Sequence, residues 1–262
     1  METVLIKGPN SGIGLELAIC FAKNGNELIL VGRGAQRLRA LANQFEKEYG
    51  VPVETIVSDL SKPSAVTHIE KTIRTRKKKV DILVNNAGFA TYGKFDQIEW
   101  NVQAEMMHVN MDALTQLTRA FLPEMIKRKH GRILNVASTA AFQPGPLMAT
   151  YYASKAFVLY FSEALAEELE GSGVSVTTLC PGPTRTGFQE RARMEDAKVI
   201  REGRLQSPVD VARAGFEGVM SGKRIVIPGL QNQLGALAAR LVPLSFSARI
   251  VKGIQEKVSH EK

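Results

Sequence analysis

Ser138, Tyr151 and Lys155 are the residues of this chain best suited to chemistry. Ser138 stands thirteen residues before Tyr151, and Lys155 follows four residues after it, in the stretch ASTAAFQPGPLMATYYASK. A phenol is a poor acid or base near neutrality, with an ordinary pKa of about 10. A lysine one helical turn away shares its face, and an ammonium there stabilises the phenolate and draws its pKa toward working pH. Tyr152 lacks such a partner, because the fourth residue after it is Ala156. A serine hydroxyl nearby can bond a substrate oxygen and spread the charge that develops on it. This set can pass a proton to or from an oxygen while a hydride moves at carbon, so it calls for a hydride carrier. The place for one lies near the N-terminus in GPNSGIG, where Gly8, Gly12 and Gly14 follow an apolar run. Glycines let the backbone approach a pyrophosphate, and a helix starting there offers unpaired N–H groups and positive potential. The spacing G-x-x-x-G-x-G departs from the more familiar G-x-G-x-x-G, and a plain surface turn is the competing reading.

The hydropathy pattern shows how these groups could be brought together. Short apolar, β-branched runs predict strands over 3–7, 27–31, 53–57, 80–85, 132–137, 174–179 and 224–227. Between them, helical periodicity predicts helices over 14–24, 35–49, 63–77, 102–129, 152–171 and 208–221. Asn24-Gly25, Gly50 and the glycines at 171 and 173 punctuate helix ends. Strictly alternating strands and crossover helices imply a single α/β domain over residues 1–262, with a Rossmann-like, doubly wound, seven-stranded parallel sheet and helices on both faces. Ligands in such a sheet bind beyond the strand C-termini, where the strand order reverses. Both motifs fall there.

Composition narrows the classes. The chain of 262 residues is 44% hydrophobic and 23% charged, which describes an ordinary globular protein. Two cysteines, Cys20 and Cys180, are too few for a disulfide framework and are expected to be reduced. METVLIKGPN does not read as a signal peptide, and no apolar run approaches the roughly 18 residues of a membrane span, so a cytoplasmic location without a transmembrane segment is expected. The net charge of +8 is densest at Arg74, Arg76, Lys77, Lys78 and Lys79, a run that reads as a solvated helix end. No zinc pattern or aromatic-basic motif accompanies it, so no nucleic-acid partner is expected, although a positive field can draw in an anionic cofactor. The four histidines have no ligand spacing, and no metal is expected.

Taken in order, these motifs resemble the short-chain dehydrogenase/reductase family over nearly the whole chain, and are similar to bacterial and archaeal NADP-dependent members without an assigned substrate. The resemblance implies that Gly8, Asn10, Ser11, Gly12, Ile13 and Gly14 form the cofactor turn and that Asp59 and Leu60 contact the adenine. It implies that Asn85-Asn86-Ala87-Gly88 supports the sheet and the cofactor. It makes Asn110, Ser138, Tyr151 and Lys155 a catalytic set, with Lys155 also holding the nicotinamide ribose and Asn110 positioning a water that links Lys155 to solvent. Pro181, Gly182 and Thr184 would lie beside the nicotinamide, and Thr186 would bond its carboxamide. The helices over 102–129 and 152–171 carry apolar residues beyond one face, Phe157, Tyr160 and Phe161 among them. Such helices commonly pair between subunits in this family, so a homodimer or homotetramer is expected.

Cofactor choice turns on LILVGRG at the end of the second strand. An acidic residue there would bond the adenosine ribose and repel a 2′-phosphate. Arg33 stands there instead, with Arg37 a turn further, and a guanidinium can bond a 2′-phosphate, so NADP(H) is favoured over NAD(H). Lys7 departs from the family, which usually has threonine before the first glycine. An ammonium only donates, so Lys7 can contact a phosphate, project to solvent or weaken the cofactor's hold. The charge-rich segment 187–206 is expected to be a mobile substrate lid. The helical tail 234–262 can pack on the sheet, pair with a subunit or lie on a membrane surface. An oxidoreductase acting on a carbonyl or alcohol is the leading reading. A catalytically idle dinucleotide-binding regulatory or scaffold protein is the alternative, and a nucleic-acid binder on a borrowed fold is a third.

Overall fold

Every residue of β1 (Thr3–Lys7) is buried, as expected of a strand covered on both faces. The computed structural model describes residues 1–194, 196–201 and 203–256. Around β1 lie β2 (Glu27–Gly32), β3 (Val53–Val57), β4 (Ile82–Asn85), β5 (Gly131–Val136), β6 (Val174–Leu179) and β7 (Ile225–Val226). They form one sheet in the order β3-β2-β1-β4-β5-β6-β7, and every pairing is parallel. The chain moves outward from β1 to β3, then crosses back to β4 and moves the other way. The reversal opens a crevice between β1 and β4, which pair with Lys7 opposite Asn85.

The helices, in chain order, are α1 (Gly12–Lys23), α2 (Ala35–Tyr49), α3 (Ala65–Thr75), α4 (Trp100–Met107), α5 (Ala113–Arg128), α6 (Ala149–Glu168), α7 (Phe188–Ala192), α8 (Lys198–Arg201), α9 (Pro208–Met220), α10 (Leu230–Leu241) and α11 (Leu244–Gln255). Leu17 and Phe21 of α1, Leu38 and Phe45 of α2 and Val211 of α9 fill the core on one face of the sheet. Ile69 of α3, Leu117 and Met125 of α5 and Leu165 of α6 fill the other. Phe21 and Phe45 are fully buried, and truncating either to alanine costs about 3–5 kcal/mol by transfer and cavity terms. A polar ladder crosses the second core: Asn85 donates to Thr118 and Asn135, and Asn135 donates to Ser162. The first asparagine of Asn85-Asn86-Ala87-Gly88 thus holds sheet and helices together.

One expectation changes. The helix expected over 102–129 is two helices joined by a π-turn at His108–Asp112. No glycine or proline marks that turn, so periodicity alone reads through it. The basic run at 74–79 is a solvated helix end as expected, with Arg74, Arg76, Lys77 and Lys79 exposed, although Arg76 also pairs with Glu54 and Lys78 with Glu27 and Glu54. Of the tail, Ala236 of α10 is buried with Ala137, Phe142 and Cys180 just beyond the ends of β5 and β6. Residues 230–255 form α10 and α11, and residues 257–262 of the expected tail lie outside the described residues. Among the described residues, no helix is long and apolar enough to cross a membrane, and no cluster of His, Cys, Asp and Glu could hold a metal.

Candidate active site

At the crevice the chain leaves β1 through Gly8, whose φ of +76° is a left-handed conformation that side chains resist. Gly14 sits in the first turn of α1, where a Cβ would lie 2.1 Å from the Gly8 carbonyl oxygen and 2.3 Å from the Asn86 amide nitrogen. Only a bare α-carbon lets helix and turn close that tightly. Asn86 then donates to the carbonyls of Lys7 and Gly8 at 3.3 and 3.0 Å. The glycine turn and the loop after β4 are therefore one unit, built where the sheet's order reverses.

That unit forms one wall of a cavity of about 760 Å³. Gly8, Asn10, Ser11, Gly12, Ile13, Gly14, Arg33, Asp59, Leu60, Asn86, Ala87, Gly88, Ser138, Tyr151, Lys155, Pro181, Gly182, Thr184 and Thr186 all line it. Asn110 does not; it stands behind the wall. The residues present suit a dinucleotide. The turn leaves no room for a Cβ at Gly14, and the buried Asn10 side-chain oxygen has no hydrogen-bond partner. Arg33 lies close enough to Asp59 to act on its charge. Burial opposes ionisation of Asp59, but bonds from Ser61 and the charges of Arg33 and Lys62 outweigh it and hold the carboxyl below its usual range.

Ser138 follows β5 in extended backbone, and its hydroxyl accepts from the Ala140 N–H at 3.1 Å. Tyr151 and Lys155 share the buried side of α6 with Ser154 and Val158, the i, i+3, i+4, i+7 row of an amphipathic helix. Lys155 donates to the Val136 carbonyl at 3.0 Å, and its Nζ lies 5.8 Å from the centre of the Tyr151 ring. Burial lowers the Lys155 ammonium to about 8. Burial also pushes the Tyr151 phenol well above its ordinary value, and a bond with Ser138 offsets only part of this. Against the expected fall toward neutrality, desolvation outweighs the one favourable partner, Ser138. A phenol that keeps its proton is a donor.

Asn110 lies in the π-turn, a feature frequent at functional sites. Its amide donates to the Phe89 carbonyl and the Ser154 hydroxyl, both at 3.0 Å, and accepts from the Phe89 N–H at 3.1 Å. A Cβ on Gly88 would meet the Asn110 oxygen at 2.9 Å and the Lys155 nitrogen at 3.5 Å, so the three are immediate neighbours. Lys7 is fully buried in β1, and its ammonium has no hydrogen-bond partner. Projection to solvent is therefore excluded. Burial, with the charge of Lys155, lowers it to about 7.

Several wall residues carry no sequence signal. The side-chain amide of Gln255 on α11 donates to the Tyr152 hydroxyl at 2.6 Å, and the Gln255 backbone carbonyl accepts from the Tyr92 hydroxyl at 2.6 Å. Val251 and Gln255 of that helix line the cavity, so α11 is a wall of the site. Of the expected lid at 187–206, α7 and α8 bring Phe188, Arg191 and Ile200 to the cavity, with Phe188 centred 5.5 Å from Tyr151. Glu195 and Glu202 of that segment lie outside the described residues. Gln206 fastens its base, accepting from the Gly182 N–H at 3.1 Å and donating to the Pro228 carbonyl at 2.9 Å. Thr184 turns its hydroxyl inward to the Gly182 carbonyl at 2.8 Å, and Thr186 caps the backbone N–H of Phe188 at 3.2 Å.

Comparison with known proteins matches this arrangement. A short chain dehydrogenase family model covers residues 2–197. A short chain dehydrogenase of Pseudocercospora fijiensis is 36% identical over 183 residues, which are 69% of this chain but only 59% of that protein. The oxidoreductase UcpA of Escherichia coli is 32% identical over 245 residues, 88% of this chain and 92% of that one. Among solved structures, a short-chain dehydrogenase from Sphingobium yanoikuyae in complex with NADPH superposes with a TM-score of 0.83 at 34% identity, covering 91% of this chain and 92% of that one. With its parallel seven-stranded sheet, its glycine turn and a family match over three-quarters of its length, the chain belongs to the short-chain dehydrogenase/reductase family.

Proposed function

We propose that this protein is an NADPH-dependent reductase of ketones or aldehydes. The observation that carries the reading is that Ser138, Tyr151 and Lys155 line the same cavity as the glycine turn and the Asn86-Ala87-Gly88 loop. The reduced nicotinamide, when bound, supplies a hydride for the carbonyl carbon. Ser138 orients the carbonyl oxygen and bonds the charge that develops there. Tyr151 gives that oxygen the proton that completes the alcohol, a role suited to a phenol held protonated by burial. Lys155 stands beside the ring to stabilise the phenolate left behind and to return a proton to it from solvent, with Asn110 placing a water on that route. Gly8, Asn10, Ser11, Gly12, Ile13 and Gly14 would hold the pyrophosphate side, Asp59 and Leu60 the adenine, and Pro181, Gly182, Thr184 and Thr186 the nicotinamide side.

Arg33 supports the preference for a 2′-phosphate, and the Sphingobium yanoikuyae relative carries NADPH. Phe89, Met148, Phe188 and Met194 give the substrate end an apolar lining, which favours a bulky apolar carbonyl or alcohol. On α6, Phe157 and Tyr160 are exposed, and that face supports pairing into a homodimer or homotetramer. Free thiols at Cys20 and Cys180 support a cytoplasmic setting. The test is a panel of ketones and aldehydes with NADPH and NADH. Turnover of some bulky carbonyl with NADPH is expected; cofactor binding without turnover across the panel would instead point to an idle dinucleotide-binding protein.

A further inference from the structure

We propose that α10 and α11 form a docking face for an anionic lipid surface. On α10, Leu230, Leu234, Leu237 and Leu241 recur at the spacing of one helix side, and all four are exposed, Leu241 at 78%. On α11, Ser247, Val251 and Gln255 make the buried row, while Phe246 and Ile250 next to it are about half exposed. Each helix thus gives one side to the protein and leaves an apolar row open. Scattered surface leucines need no explanation, but rows on two successive helices do.

Charge selects the occupant. Between residues 230 and 255 the chain carries Arg240, Arg249 and Lys252 and no aspartate or glutamate, within a protein of net charge +8. A second copy docked face to face would oppose like charges, and the α6 face already offers aromatic residues for pairing. Arg240 lies over the Phe142 ring, 4.8 Å from its centre, so Arg249 and Lys252 are the cations beside the open rows, with no acidic residue before Glu256. That pattern suits a helix lying in a bilayer interface, with leucines among the acyl chains and cations among the headgroups. The neighbouring buried row of α11 supplies Val251 and Gln255 to the cavity, so a docked surface would lie about one helix diameter, about 10 Å, from the site. The docking proposal does not depend on the catalytic reading.

The test is cosedimentation of the full chain with vesicles of phosphatidylcholine alone and of phosphatidylcholine mixed with phosphatidylserine. Binding to the mixed vesicles is expected to be at least about tenfold tighter, and to weaken with added salt. Leu237→Asp and Phe246→Asp, both at exposed positions outside the cavity, should each cost about tenfold or more in that binding with the thermal midpoint unchanged. Equal partitioning onto the two vesicle types, or onto neither, overturns the proposal. So does a dimer in light scattering that Leu237→Asp dissociates, because a second copy then covers the face.

Discussion

Asn110 donates from its side-chain amide to the Ser154 hydroxyl at 3.0 Å, and so ties the π-turn to the helix that carries Tyr151 and Lys155. With the two bonds to Phe89, that amide is the joint between the loop after β4 and α6. Asn110→Ala is expected to lower stability by about 1–3 kcal/mol, because buried partners lose their bonds. Turnover should fall further than stability explains, by about tenfold or more at a temperature where the variant is fully folded. Urea midpoints and initial rates on one preparation separate the two effects. A folded variant with full turnover would leave Asn110 a structural residue only.

Lys7 gives stability a pH dependence of known sign. Its pKa falls from the usual 10.5 in the unfolded chain to about 7 when buried, so the unfolded state binds more protons between those values. Stability should therefore rise with pH across that window. Below it the full cost of burying the ammonium, up to about 5 kcal/mol, is present. Lys155, lowered to about 8, adds in the same direction from that point upward. Lys7→Met should raise the urea midpoint near neutrality and flatten its increase between about pH 6.5 and about pH 9. An unchanged slope would show that Lys7 reaches water or a counter-charge.

Arg33 is expected to read the 2′-phosphate. Wild type should bind NADPH more tightly than NADH by about 1.5–3 kcal/mol, the worth of a bond to a charged group. Arg33→Ala should remove most of that difference and leave NADH binding nearly unchanged. Titrating both proteins with both cofactors isolates the effect as a difference of differences. Equal losses for the two cofactors would make Arg33 a loop support, and a wild-type preference for NADH would reverse the cofactor assignment.

Gln255 holds α11 against Tyr152 and Tyr92. Gln255→Ala should loosen that wall and raise KM for the carbonyl by about three- to tenfold, the equivalent of one net hydrogen bond, with cofactor affinity unchanged. Tyr152→Phe should have a similar, smaller effect. Parallel weakening of cofactor and substrate would mean that α11 supports the whole cavity and not its substrate end.

The central strands β1, β2 and β4 were legible because they are buried on both faces and read as near-continuous apolar runs. The glycine turn was legible because Gly14 leaves no room for another residue type. The π-turn was not, since MMHVNMDAL continues the helical pattern and the turn's extra residue leaves no mark on hydropathy. Gln255 and Tyr152 meet across 103 positions, and Gln255 and Tyr92 across 163, so no local pattern announces them. Lys7 stays open between three readings in the sequence for a physical reason. A charge at a strand end ordinarily reaches water, whereas here the loop after β4 closes over it, with the Ala87 N–H bonded to the Lys7 carbonyl at 3.0 Å.

Tyr151→Phe tests the central claim most directly, because it keeps the ring and removes the proton that the carbonyl oxygen needs. On a carbonyl that wild type reduces, NADPH oxidation by the variant should fall by at least about a hundredfold, while NADPH binding by fluorescence titration stays within about twofold. Tyr152→Phe, measured beside it, should keep most of its activity. Substantial turnover by Tyr151→Phe, with Tyr152→Phe inactive instead, would contradict the assignment of Tyr151 as the proton donor.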